Sequence, residues 1–318
     1  MESPGGRSQA CIETICGRCF RGPRPFSRPW STWTGAPGSV SFRGSATRGD
    51  KVDPRAFLPL VSRPRARLEK WGRTEHPQAR DMSLLLVPRA FFETARISVP
   101  TVLESFLGSL KQETCSKRLS DWSRRILLQA QIQLDVSGTE AIESGQSYVI
   151  MSNHQSLYDI VVLFQALPLD LRMVAKAELF RVPIWGTAMD RAGFVKIDRS
   201  KGQEARAILA EKGRSLKEQG LSLWIAPEGT RSATGELLPF RSGGFELAIA
   251  LGLPILPIRI DGTRDILNKG AFRIRQGVRV SVRIHPPLTQ APEESPEQAK
   301  QRLKAEVFSL LSRPSLPS

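Results

Sequence analysis

Between Tyr148 and Ile284, short apolar runs of strand length alternate with stretches of helical period, which leaves few architectures open to the chain. Tyr148–Met151 reads as a buried strand, followed by an apolar helix from about Leu157 to Leu167. Arg172–Ala175 and Gly193–Ile197 are further short strands. Glu204–Gln219 has a helical period, Leu221–Ala226 is a strand and Phe245–Leu251 a helix. Pro254–Ile260 and Val278–Ile284 close the series, the second alternating Val278, Val280, Val282 and Ile284 with polar residues. Ser295–Leu311 reads as a terminal helix. Strands separated by helices pair side by side and bury both faces, so the expected class is α/β: a central, mostly parallel sheet flanked by helices.

Charge bears on the partner. The 318 residues carry a formal net charge of +15, which points to an anionic partner, a nucleic acid or an anionic membrane. The excess is uneven: residues 1–81 hold 15 Lys and Arg against 7 Asp and Glu, a net of +8. That stretch is rich in Arg, Pro, Gly and Ser and sustains no apolar period, so it reads as a disordered basic leader. Met82 opens a segment that resembles a fresh start, so the leader is either a natural tail, an organelle-targeting sequence or not native. Nucleic acid is disfavoured, because the excess is concentrated there and no recognition motif accompanies it. Of the four cysteines, Cys11, Cys16 and Cys19 lie in the leader and only Cys115 lies beyond it. No disulfide framework is expected in the main domain.

Residues 82–135 interleave Leu84, Leu85, Leu86, Phe91, Phe92, Ile97, Val102, Leu103, Phe106 and Leu107 with Arg89 and Arg96. Pro88 and Pro100 should break this into short pieces. Trp122 to Leu134 spaces Trp122, Ile126, Leu127, Ala130 and Leu134 at helical intervals beside Arg124 and Arg125. Such amphipathic helices either lie in a membrane interface or pack on the domain. No apolar run approaches the roughly 20 residues of a spanning helix, so the sequence reads as neither transmembrane nor secreted.

The chemistry concentrates at strand ends. Asn153-His-Gln-Ser-Leu-Tyr-Asp159 directly follows a strand, and His154 is the best placed of three histidines to act as a base near neutral pH. On one continuous helix, residues five apart diverge by about 140°. If the helix begins only at Ser156, Asp159 can reach the imidazole and fix its tautomer. The competing reading makes Ser156-x-x-Asp159 a capping box. Pro227-Glu-Gly-Thr-Arg231 follows a second strand, where Gly229 permits a tight turn and Arg231 can grip a phosphate. Gly193-Phe-Val-Lys-Ile-Asp-Arg199 ends a third with Lys196 and Arg199. In open α/β sheets ligands gather at the carboxyl ends of strands, so these cations predict an anion site near His154.

These blocks, followed by Leu253-Pro-Ile-Leu-Pro-Ile258, resemble in order the four motifs of the glycerolipid acyltransferases, above all the 1-acylglycerol-3-phosphate acyltransferases. Leu238-Pro-Phe-Arg-Ser-Gly-Gly-Phe245 resembles the segment after the third motif. The resemblance runs from about residue 120 to 290. It implies a glycerol-3-phosphate acyltransferase-like domain over residues 136–318 and transfer of an acyl group from a thioester (acyl-CoA or acyl-carrier protein) to a lysophospholipid. By it, His154 deprotonates the acceptor hydroxyl, Asp159 orients His154, and Lys196, Arg199 and Arg231 hold the acceptor phosphate. Asn153, Glu228, Gly229 and Thr230 complete the substrate site. It implies no metal, no cofactor and no Ser or Cys nucleophile, which sets aside Ser156 and Cys115. Ala226 stands where the family usually has a large aromatic, and Lys196 where many members carry an aromatic or aliphatic. The expected setting is peripheral or monotopic association with the cytoplasmic face of an anionic membrane. Two alternatives stay open: another acceptor (glycerol 3-phosphate, a lyso-ornithine lipid or another lysophospholipid) and a non-catalytic lipid-binding module.

Overall fold

Three strands are buried nearly end to end, and that is why their sequences are almost uninterrupted apolar runs. The structure is a computed structural model describing residues 85–198 and 201–313. The leader 1–81 with its cysteines and His76, and also Arg199, lie outside the described residues. Seven strands form one sheet: β1 (Gln133–Ser137), β2 (Val149–Ser152), β3 (Leu171–Lys176), β4 (Val195–Ile197), β5 (Ser222–Ile225), β6 (Ile255–Asp261) and β7 (Arg279–Ile284). Their spatial order is β1-β7-β6-β2-β5-β3-β4. Every pairing is parallel except β6 with β7. Consequently β2, β3, β4, β5 and β6 all end at one edge of the sheet, while β7 and β1 run the other way.

Helices cover both faces: α1 (Leu86–Phe106), α2 (Gln112–Gln129), α3 (Tyr158–Ala166), α4 (Trp185–Arg191), α5 (Gly202–Glu218), α6 (Gly243–Leu251), α7 (Thr263–Ile266) and α8 (Pro296–Ser312). Strand alternation divides the core. Ile150 of β2 faces a cluster with α2 and α3, containing Leu127, Val162, Leu163 and Ile258. Val149 and Met151 face the other cluster, with Leu216 of α5, Leu247 of α6 and Leu303 of α8. Arg172 is fully buried on β3, and its guanidinium is spent on the Ala192 and Leu171 carbonyls and on Gln112 and Ser116 of α2.

Two expectations need correction at the N-terminal end. Leu134 does not extend the helical stripe; α2 starts at Gln112, stops at Gln129, and Leu134 belongs to β1 at the sheet edge. Nor do the prolines break α1, which runs 21 residues with Pro100 inside it. Pro88 falls in the first turn, where its missing N–H has no intrahelical partner to lose.

The two helices also differ in where their apolar residues go. Those of α2 (Cys115, Leu119, Ile126, Leu127) are buried against the domain. In α1 the pattern is inverted: the residues buried beneath it include Glu93, Ser98 and Thr101, while Phe91, Phe92, Leu103 and Phe106 are exposed. The α1–α2 seam is accordingly polar, with Arg118 on Glu104 at 2.5 Å and on Thr101 at 3.1 Å, and the Trp122 indole N–H on Thr94 at 3.1 Å. Among the described residues no helix is long and apolar enough to cross a membrane.

Leu163 is fully buried in the helix that carries Asp159. Leu163→Ala should lower the unfolding free energy by about 2–5 kcal/mol, read from the denaturant midpoint at unchanged slope.

Candidate active site

The parallel strands deliver their C-terminal ends to one edge, and the segment leaving β2 there is pinned on several sides. Asn153, 1% exposed, gives its side-chain amide to the Ile260 carbonyl at 2.7 Å and accepts the Ile260 N–H at 2.8 Å. This mimics one rung of a strand pair and locks the turn to β6. The His154 N–H donates to Glu228 Oε1 at 2.8 Å, and the His154 carbonyl accepts the Ser232 N–H at 2.8 Å. Gln155 and Ser156 reach the carbonyls of Gly235 and Leu267.

Helix α3 starts only at Tyr158, so His154 sits in the turn ahead of it and Asp159 in its first turn. Asp159 is fully buried. Its Oδ2 accepts His154 Nδ1–H at 2.8 Å and the backbone N–H groups of Gln155 and Ser156 at 2.7 and 2.9 Å. Its Oδ1 accepts the hydroxyl of Thr263, itself fully buried at the start of α7. Of the capping-box reading only half is present: the carboxylate that holds the imidazole also takes the Ser156 N–H, but the Ser156 hydroxyl goes to the Leu267 carbonyl and not to the Asp159 N–H. Because an ionised carboxylate only accepts, Nδ1 carries the proton, leaving Nε2 with a free lone pair. The ring stands edge-on to Trp224, with centroids 5.3 Å apart and planes at 86°. The Trp224 indole is itself fixed by Ser152 Oγ at 2.9 Å.

His154 lines a cleft of about 410 Å³ with Val174, Ile197, Leu209, Trp224 and Ile225 as apolar walls. Its other lining includes Pro227, Gly229, Arg206 and Arg241, with Gly202 of α5 and Ser242, Gly243 and Gly244 at the start of α6; among the described residues no acid lines it. Gly229 has φ +72°, a backbone conformation that favours glycine, and the side chain of Arg241 lies against it, its Nε 2.6 Å from where a Cβ would stand. Glu228 is 4% exposed and accepts the backbone N–H groups of His154 and Leu238. Burial pushes its carboxyl above the usual glutamate range, against the pull of those two donors.

Several sequence expectations change here. Asn153 offers nothing to a substrate, because Ile260 uses both ends of its amide. Glu228 acts as a clamp between segments, with each oxygen taking a backbone N–H. Lys196 is exposed on β4 between the buried Val195 and Ile197. Period two puts it on the opposite face from Ile197, which lines the cleft, so Lys196 is not brought to His154. Thr230 is exposed, and Arg231 is half-buried without joining the cleft lining. Ser156 is buried with its hydroxyl on the Leu267 carbonyl. Cys115 is buried in α2, and burial pushes its thiol up against the pull of Arg172 and Arg118. Sequence reasoning missed Thr263, Arg206 and Arg241. For Thr263 a cue existed, since it follows directly on β6 beside the fourth motif; for Arg206 there was none.

Thr263→Val keeps the shape but strips the hydroxyl from a buried carboxylate oxygen. It should cost about 1–3 kcal/mol of stability in a denaturant titration, and Thr263→Ser should recover most of it.

A family model described as Acyltransferase matches residues 133–261. The 1-acyl-sn-glycerol-3-phosphate acyltransferase alpha of Mus musculus is 35% identical over 170 residues, covering 52% of this chain and 60% of the relative. The 1-acyl-sn-glycerol-3-phosphate acyltransferase of Limnanthes alba is 36% identical over 157 residues, covering 49% and 55% respectively. The chain thus spans less than two thirds of the length of these relatives. The crystal structure of the 1-acyl-sn-glycerophosphate (LPA) acyltransferase PlsC from Thermotoga maritima superposes with a TM-score of 0.57 at 26% identity, covering 73% of this chain and 97% of that one. Residues 133–261 are thus similar to the Acyltransferase family model, and the relatives that resemble the chain are named 1-acyl-sn-glycerol-3-phosphate acyltransferases.

Proposed function

We propose that the protein moves a fatty acyl group from an acyl thioester, acyl-CoA or acyl-carrier protein, to the sn-2 hydroxyl of 1-acylglycerol 3-phosphate, giving phosphatidic acid. The observation that carries the reading is the buried Asp159 holding His154 Nδ1, with the imidazole bordering a largely apolar cleft that no acid lines among the described residues. In the reaction His154 Nε2 takes the hydroxyl proton as the acceptor oxygen attacks the thioester carbonyl. The new C–O bond forms, the tetrahedral adduct collapses, the C–S bond breaks, and the departing sulfur takes the proton from the imidazolium. Asp159 stays ionised and steadies the transient positive ring. No covalent acyl-enzyme is needed, in keeping with the buried positions of Ser156 and Cys115. The names of the relatives and of the Thermotoga maritima enzyme support the acceptor.

His154→Ala should lower transfer from labelled acyl-CoA to 1-acylglycerol 3-phosphate by roughly 10²–10⁴-fold while the thermal transition is kept. Retention of more than about a tenth of the rate would sink the general-base role. A wild-type enzyme that ignored this acceptor but used another lysolipid would reassign the substrate.

The same reading sets the protein on a lipid surface, which its acceptor inhabits. The outward face of α1 carries Phe91 at 72%, Phe106 at 74% and neighbouring Leu107 at 80% exposure, and Leu179, Val182, Ile184 and Trp185 are exposed in and before α4, which packs on α1. A patch this apolar on a basic chain fits a helix lying in the interface of an anionic bilayer. Sedimentation with vesicles of graded anionic content should show binding that salt weakens only in part. Phe92→Asp with Phe106→Asp should abolish it. Binding by the double variant equal to wild type would move the docking surface elsewhere.

A further inference from the structure

Among the described residues, Arg241 is in a position of its own among the cations expected or found near His154. Lys196 faces away from the cleft and Arg231 does not line it. Arg206 lines it, but its guanidinium is 3.3 Å from Glu246. Arg241 lines the cleft, is exposed, and has no ion pair or side-chain hydrogen bond among the described residues. Its placement is built in. The backbone N–H donates to the Pro227 carbonyl at 2.8 Å, and the side chain lies over Gly229, whose φ of +72° favours the residue without a Cβ. Gly229 adjoins Glu228, whose carboxylate holds the His154 N–H, so one short turn carries both the base's clamp and the floor beneath this guanidinium. Next in the chain, the first N–H groups of α6 border the same cleft and, lacking earlier carbonyls to bond, add positive potential.

We propose that Arg241 determines acceptor specificity by gripping the phosphate monoester of the lysolipid. This rests on the function proposed above and adds to it the residue that selects the headgroup. In the acceptor only the C2–C3–O linkage separates the reacting oxygen from phosphorus. A site that presents the hydroxyl to His154 must therefore meet the phosphate close by. A guanidinium pairs with a monoester in bidentate fashion, and an uncharged acceptor leaves it unmatched. Phosphates also occur on the nucleotide of a CoA donor, so the same chemistry has two sources and the test must separate them.

Wild type is assayed first with 1-acylglycerol 3-phosphate and with monoacylglycerol, using acyl-CoA and an acyl thioester of N-acetylcysteamine as donors. Arg241→Ala should raise the KM for the phosphate-bearing acceptor by roughly ten- to a hundred-fold with either donor. It should shrink the preference over monoacylglycerol by the same factor and leave the acyl-CoA KM unmoved. Arg241→Lys should recover part of the loss as a point charge. An unchanged acceptor KM overturns the proposal, and so does a rise confined to the KM of acyl-CoA. Should Arg241→Ala lose its thermal transition, Arg241→Gln, which keeps most of the stem over Gly229, takes its place. Calorimetric titration with glycerol 3-phosphate is the arm that needs no turnover: wild type should bind it and Arg241→Ala should bind at least tenfold more weakly. A wild-type protein inactive on every lysolipid would refute the proposed function, while equal binding of glycerol 3-phosphate by both proteins would refute the role of Arg241.

Discussion

One fully buried carboxylate organises this protein. Asp159 receives four donors: the imidazole of His154, two backbone N–H groups from the turn before α3, and the Thr263 hydroxyl. Together they answer three demands. The backbone donors would otherwise be orphans at a helix entry, the hydroxyl ties α7 to α3, and the imidazole is the group proposed to act as the base. A buried charge is tolerable only when satisfied in this way. The carboxylate therefore binds the topology to the site. Placing Thr263 requires β6 to end where it does, which in turn requires β2 and β6 to lie side by side in parallel.

The second half of the site follows from β5 in the same manner. Its C-terminal end leads into Pro227–Arg231, where Glu228 reaches across to hold the backbone of His154 and also that of Leu238. His154 is thus fixed through its side chain by one acid and through its main chain by another. The first is on its own β–α turn and the second on a neighbouring one. Preorganisation of this kind leaves little for binding to rearrange.

What could be read in advance tracks burial. The strands β2, β3, β5 and β6 lie within the sheet, where both faces want apolar residues, and their runs stand out in the sequence. Edge strand β1 does not: Gln133-Leu-Asp-Val-Ser137 is polar at every second residue, and Leu134 continues the spacing of the preceding helix by chance. The His154–Asp159 pair was legible because both members sit on one turn five residues apart. Asn153 misled for the opposite reason, since its partner Ile260 is 107 residues away. Lys196 was open to a better reading, because alternation along Val195–Ile197 already assigns it to the wrong face. Arg241 lies in the segment resembling the stretch after the third motif, but nothing in the sequence singles it out there. Its significance comes from the Gly229 turn beneath it, and that proximity exists only in three dimensions.

The inverted helix α1 has a thermodynamic corollary. Its polar residues are turned inward to Arg118 and Trp122, and its aromatic and aliphatic ones outward. Any amphiphile that covers that face binds the folded chain and has no equivalent surface on the unfolded one. The apparent free energy of folding must then rise with the logarithm of amphiphile activity. Two preparations of identical sequence, one in plain buffer and one in detergent or lipid, would melt at different temperatures without a single internal contact having changed. Stability here is a joint property of the polypeptide and of whatever borders it.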